Sequence, residues 1–184
     1  MTTDRAIFNL LFLLVALAAS PMLAQDAGAV PAGIPGCGEP SAKFEVQTSL
    51  IHPPVPPQAG KALVFVIQND TNFNSFPKPT TRVGVDGKWI GATNRDSFLY
   101  FFVDPGVHHL CTSWQRHVIA WRGLQSAAVH FTAEAGGVYY FQIKDTFLNA
   151  ESGQINDVTL APVDSDEGQL LANRFALATS HPKP

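Results

Sequence analysis

The chain has 184 residues, mixed charge and a formal net charge of −3. That balance argues against the basic footprint of a nucleic-acid binder and against a polybasic membrane patch. At this length the chain is expected to form a single core without metals or many disulfides.

Residues 1–24 read as a secretory signal peptide. Arg5 and the amino group make a weakly positive start, and Ala6 to Ala19 is apolar apart from Asn9. The run is short for a bilayer span, which needs about 20 apolar residues. Cleavage is expected after Ala24 or, by the Ala-x-Ala rule, after Ala29; retention as an anchor is the alternative. No later segment is apolar for long enough to span, so the expected location is periplasmic or secreted. Cleavage leaves roughly 155 to 160 residues, one domain by length. Residues 25–40, rich in Ala, Gly and Pro, read as a flexible arm, and 41–180 as one β-sandwich domain.

Cys37 and Cys111 are the only cysteines. An even count in an exported chain points to a disulfide, and two cysteines allow one intramolecular pairing. Two unpaired thiols are the alternative. Ile34-Pro35-Gly36-Cys37 loosely resembles a lipobox, but Pro35 stands where a small or hydroxyl residue is expected.

Along the domain, the two-residue period of a strand recurs. Lys43–Thr48 alternates with Phe44 and Val46 on one face. His52-Pro53-Pro54-Val55-Pro56-Pro57 is an extended connector. Lys61–Gln68 is apolar on both faces and should be central in its sheet. Asn69–Thr81 reads as a polar loop, within which Asn69-Asp70-Thr71 fits the glycosylation pattern. Arg82–Leu110 reads as a meander. Asp86-Gly87 is a type I′ hairpin signal, and Gly91 ends the returning strand or marks a bulge. Phe98–Val103, apolar on both faces, is a second central strand; a buried helix is the alternative, disfavoured by the run's shortness, its aromatic content and the turn Asp104-Pro105-Gly106.

Val107–Trp114, Ala127–Ala133, Val138–Lys144 and a last strand with Val158 and Leu160 complete the pattern, with a loop expected over Thr146–Gly153. Phe65, Phe101, Phe141 and Leu160 are the expected core. The period then changes. Asp164 with Glu167 three residues on resembles a capping box ahead of Leu170, Leu171 and Arg174, so a short helix should pack on the sheet. Ser180–Pro184 is expected to fray.

No catalytic, cofactor or metal motif emerges. His108 and His109 are neighbours on a strand and point to opposite faces; His52, His117, His130 and His181 form no HxH or HExxH pattern. Asp164-Ser165-Asp166-Glu167-Gly168 lacks the ligands of a calcium loop in register. There is no GxSxG elbow, and no CxxC redox motif. Trp89, Trp114 and Trp121 are the candidates for stacking on a sugar ring or peptide, against the ordinary use of aromatics in a sandwich core.

Val85-Asp86-Gly87-x-x-Ile90-Gly91, the aromatic strand, Pro105-Gly106-x-His108 and Ala135-Gly136-Gly137-x-Tyr139-Tyr140 together resemble the bacterial family called domain of unknown function 2846. Cys37-Gly38, His52-Pro53 and Pro162–Gly168 resemble its secreted branch. The resemblance implies an exported β-sandwich of immunoglobulin-like or PEGA-like type, with no catalytic residues to transfer. The expected fold is thus all-β, mainly antiparallel, with one short C-terminal helix. The expected function is an exported non-catalytic module binding a protein or glycan of the cell envelope, with no nucleic acid, no cofactor and no membrane span after signal cleavage. The alternative is a hydrolase or metal-dependent enzyme with a site built on the long loops.

Overall fold

The computed structural model describes residues 37–74, 77–116, 125–150 and 153–184. The expected signal peptide, the arm before Cys37, and the candidates His117 and Trp121 lie outside the described residues. The described elements are β1 (Phe44–Ser49), β2 (Ala62–Asn69), β3 (Thr80–Val85), β4 (Lys88–Asn94), β5 (Ser97–Val103), β6 (Gly106–Trp114), β7 (Ser126–Ala133), β8 (Val138–Ala150), β9 (Gly153–Val163), α1 (Ser165–Arg174) and β10 (Ala176–Pro182).

They build a six-stranded sheet, ordered β1-β10-β5-β2-β8-β9, and a four-stranded sheet, ordered β4-β3-β6-β7. Pairing is antiparallel except between β2 and β8 and between β10 and β5. The fold is therefore an all-β sandwich with a single short helix among the described residues. The two strands apolar on both faces, β2 and β5, are interior members of the larger sheet, as a doubly covered strand requires.

The β3–β4 hairpin turns on Asp86 (φ 49°) and Gly87 (φ 80°), the double positive φ of a type I′ turn. Its register shifts between Val83, opposite Gly91, and Gly84, opposite Trp89, so Ile90 is the extra residue of a bulge.

Period-two alternation sorts side chains between two cores. Val64, Val66, Leu110, Trp114, Phe141 and Ile143 are buried between the sheets. Ile67, Phe98, Tyr140, Ala172 and Phe175 are buried on the outer face of the larger sheet, beneath α1. Phe141 and Leu160 are core residues as expected. Phe65 and Phe101 are only half-buried: Phe65 packs with the cluster beneath α1, Phe101 at the margin of the inter-sheet core.

Three further expectations are corrected. The loop expected over Thr146–Gly153 is mostly strand: β8 runs on to Ala150, pairing Thr146 with Asp157, because Phe147 is buried against Phe73. The C-terminus does not fray at Ser180, since β10 pairs with β1 from Leu177 to Pro182. Leu170 is solvent-exposed rather than packed.

α1 starts where the acids indicated. Asp164 is extended (φ −66°, ψ 164°) and its Oδ1 accepts the Glu167 N–H at 2.9 Å. Gly168 and Ala172 form its buried face. A Cβ on Gly168 would overlap the Tyr140 ring, so glycine is what allows the helix to lie on the sheet.

Candidate functional site

The outer face of the four-stranded sheet carries the N-terminal clasp. Cys37 and Cys111 are disulfide-bonded, with Cα atoms 5.7 Å apart. Leu110 faces the inter-sheet core, so its neighbour Cys111 points outward. Residues 37–42 cross this face. Gly84 makes room for them: a Cβ there would come within 2.8 Å of the Cys37 carbonyl oxygen. Arg82 is 2 % exposed, and its Nη1 donates to the carbonyls of Pro40 (2.7 Å) and Ala42 (3.0 Å). Its Nη2 donates to Ser113 Oγ at 3.2 Å.

Trp89 is already occupied. Its ring lies 4.5 Å from the Arg82 guanidinium carbon, a cation–π arrangement, and its N–H donates to the Glu39 carbonyl at 2.8 Å. Trp114 is fully buried; it meets Phe73 edge-on at 5.8 Å and donates to Asp145 Oδ1 at 2.7 Å. A ring with no exposed face cannot stack on a ligand, so Trp114 is a core residue. Trp89 and Trp114 lie on opposite faces of their sheet, and Trp121 lies outside the described residues. Among the described residues the tryptophans make no shared platform.

The histidines separate as strand geometry requires. His109 lies beside His130, ring centroids 6.5 Å apart, while His108 lies beside Phe131. His108 Nδ1 meets Asp86 Oδ2 at 2.6 Å and its Nε2 meets the Asp104 carbonyl at 2.7 Å. Both partners are acceptors, so the geometry favours the doubly protonated, charged ring. Partial burial works against that charge, but the bonds to Asp86 and to the Asp104 carbonyl outweigh it and raise the His108 pKa. While it is protonated, the ring offers no lone pair to a metal or a substrate proton. Among the described residues no group of three or more His, Cys, Asp or Glu is placed to hold a metal ion.

Two clefts remain. One of about 310 Å³ is lined by Lys78, Arg116 and Lys183 with Glu45 opposed. Much of its polar lining is already engaged: Lys78 Nζ donates to the Asp70 carbonyl at 2.8 Å, and the Gln115 amide clamps both the N–H and C=O of Phe44 at 2.8 Å.

The other cleft, about 270 Å³, lies on the outer face of the six-stranded sheet. Its floor is aromatic because Tyr100, Phe65 and Tyr140 stand in one row across β5, β2 and β8. Phe65 stacks on Tyr140 with centroids 5.0 Å apart and planes 14° apart, and it lies 5.9 Å from Tyr100. The walls are the His52–Val55 connector and the Gln169 and Asn173 amides, one turn apart on α1. His52 packs edge-on against Phe98 at 5.3 Å, and its Nε2 is buried without a hydrogen-bond partner. No residue of the lining carries a carboxylate, ammonium or guanidinium. Planar aromatic faces, amide donors and acceptors, and the lack of any carboxylate, ammonium or guanidinium suit a neutral ligand with one apolar face. The volume is just under the ~300 Å³ lower end for drug-sized ligands, room for one ring or one side chain.

Sequence reasoning placed Phe65, Tyr100 and Tyr140 on strands but did not join them into a site. One signal was present: two strands apolar on both faces need a cover on the outer side. The single short helix cannot supply all of it. Ten residues of helix reach about 15 Å, whereas six strands spread over about 24 Å.

No family model, curated protein or solved structure matches the chain.

Proposed function

We propose that the chain is an exported, non-catalytic binding module of the domain of unknown function 2846 type, which holds a neutral glycan of the cell envelope in the groove between α1 and the His52–Val55 connector. The observation that carries this reading is the lining: half-buried Phe65 and Tyr100 beside buried Tyr140, flanked by the Gln169 and Asn173 amides, with no charged group among them. Sugar C–H faces stack on aromatic rings, and amide side chains pair with hydroxyls. A protein ligand would enter the same groove through a single apolar side chain. The disulfide supports an oxidising compartment, and N-terminal sequencing of exported protein tests the cleavage near Ala24.

Titration of labelled protein with neutral oligosaccharides, followed by amide and aromatic NMR shifts, tests the groove. Shifts confined to Phe65, Tyr100, Tyr140, Gln169 and Asn173 are expected. No response to millimolar neutral sugars, with a response to apolar peptides at the same residues, would replace the glycan with a protein partner. No response to either removes the binding role from this groove.

A further inference from the structure

The groove makes no use of a polar cluster on the other side of the same strands. Gln68, Asp70, Thr81, Thr93, Trp114 and Asp145 are fully buried. They come from both sheets: Gln68 on β2, Asp70 just after it, Asp145 on β8, and Thr81, Thr93 and Trp114 on β3, β4 and β6. The Thr93 hydroxyl donates to Gln68 Oε1 at 2.7 Å, which turns the amide nitrogen toward the two acids. That nitrogen donates to Asp70 Oδ1 at 2.9 Å and to Asp145 Oδ2 at 2.8 Å. Trp114 donates to Asp145 Oδ1 at 2.7 Å, and the Thr81 hydroxyl to Asp145 Oδ2 at 3.3 Å.

One atom is left over. Asp70 Oδ2 is buried and meets no protein donor. Among the described residues no cation bonds to either carboxylate, and the Lys78 charge only partly offsets the effect of burial on Asp70. Lys78 Nζ is bound to the Asp70 main-chain oxygen, at 2.8 Å. Asp96 adds negative charge from the β4–β5 turn, its Oδ1 accepting the Asp70 N–H at 2.9 Å. β3, β4 and β6 contribute only neutral groups. Two ionised carboxylates in such a place repel each other and lose their hydration. A proton between Asp70 Oδ2 and Asp145 removes one charge and gives the leftover oxygen its partner.

We propose that Asp70 and Asp145 share one proton, and that this proton is a pH-sensitive lock between the two sheets, closed while it is held and opened when it leaves. Burial raises the pKa of both acids, and the nearby Asp70 charge pushes Asp145 further, to well above the ordinary range despite the bonds from Trp114 and Thr81. The sign follows. In the unfolded chain both acids ionise near pH ~4, while the folded pair keeps its proton to higher pH. The folded state binds the extra proton throughout that window, so stability falls as pH rises through it, up to about tenfold in the folding constant per pH unit.

The test compares urea unfolding of the full, disulfide-intact chain with that of Asp70→Asn between pH 5 and 9. The substituted amide keeps an acceptor for Gln68 and places an N–H donor at the leftover position, so it mimics the protonated pair permanently. The ratio of the wild-type to the Asp70→Asn folding constant is expected to fall with rising pH, by up to tenfold per unit; His108 is common to both and cancels. A ratio constant from pH 5 to 9 would overturn the proposal. Should the variant fail to fold, carboxyl ¹³C shifts of the wild type read the same proton: at pH 5, above the ordinary carboxylate range, the pair is expected to hold one proton, and both carboxyls fully ionised there would sink the lock.

Discussion

The two outer faces of the sandwich are covered by opposite means. Over the four-stranded sheet, residues 37–42 are held by a disulfide and by donors aimed at main-chain carbonyls: Arg82 to Pro40 and Ala42, and Trp89 to Glu39. Over the six-stranded sheet, the cover is apolar contact: Ala172 and Phe175 on Phe98 and Tyr140. The first cover engages its aromatic ring and the N–H on it. The second is shorter than the sheet beneath it and leaves Phe65 and Tyr100 half-buried. The polar clasp holds chain in place; the incomplete apolar cover leaves aromatic surface open. That contrast is why the proposed ligand groove lies on the face that carries no tryptophan among the described residues.

The contrast can be broken most severely on the clasped side. Replacing both Cys37 and Cys111 by Ser opens a link across 74 residues and should cost about 4 kcal/mol in the chain-entropy model. Urea melts under non-reducing conditions measure it; a loss below about 1 kcal/mol would mean that the polar contacts alone hold the arm. Arg82→Met should cost about 2 to 3 kcal/mol, because the Pro40 and Ala42 carbonyls lose their buried donor. Hydrogen exchange should then rise at Ala42 and leave α1 protected.

On the apolar side, Gly168→Ala should cost about 1 to 2 kcal/mol. Overlap with Tyr140 outweighs the ~1 kcal/mol that alanine gains in helix propensity. It should also displace α1 and abolish ligand shifts in the groove, whereas Arg82→Met should leave them intact. Tyr100→Ala, at a half-buried ring, should cost about 1 kcal/mol of stability or less yet remove most of the binding; unchanged binding would place the ligand elsewhere.

The smallest effect lies at the exposed hairpin end. Partial burial would raise the Asp86 pKa, but the His109 N–H and the His108 ring outweigh it and lower it. The His108–Asp86 pair therefore stabilises below pH ~6.5, where His108 is charged in both states, and loses this as pH rises through the elevated His108 pKa. Its other limit comes as pH falls through the depressed Asp86 pKa. His108→Gln should cost less than about 1 kcal/mol at pH 6 and nothing at pH 9; equal losses at both would show that packing on Phe131, not charge, is what His108 supplies.

Local signals were legible wherever the determining interaction lay within a few residues. The Asp86-Gly87 turn needs positive φ at two adjacent positions, and the Asp164 cap needs one carboxylate near one N–H. Strand periodicity placed β2 and β5 inside a sheet because apolar side chains on both faces demand two covers. The cysteine pair followed from counting alone. Failures came where partners are far apart in the chain. Thr146–Gly153 looks like a loop until Phe73 is brought against Phe147, and the choice for Trp114 between core and ligand stacking stays open until Phe73 and Asp145 surround it.

By itself, then, the sequence determined the strands, the main turn, the helix start and the one disulfide pairing available, since each is decided by backbone sterics, alternation or number. Tertiary structure alone decided which face each aromatic serves and which acids meet. Asp70 and Asp145 stand 75 positions apart in the chain, and Tyr100, Phe65 and Tyr140 form one row only because β5, β2 and β8 are neighbours. Alternation tells which side chains share a face, but it carries no information about strand order, and strand order is what builds both the groove and the acid pair.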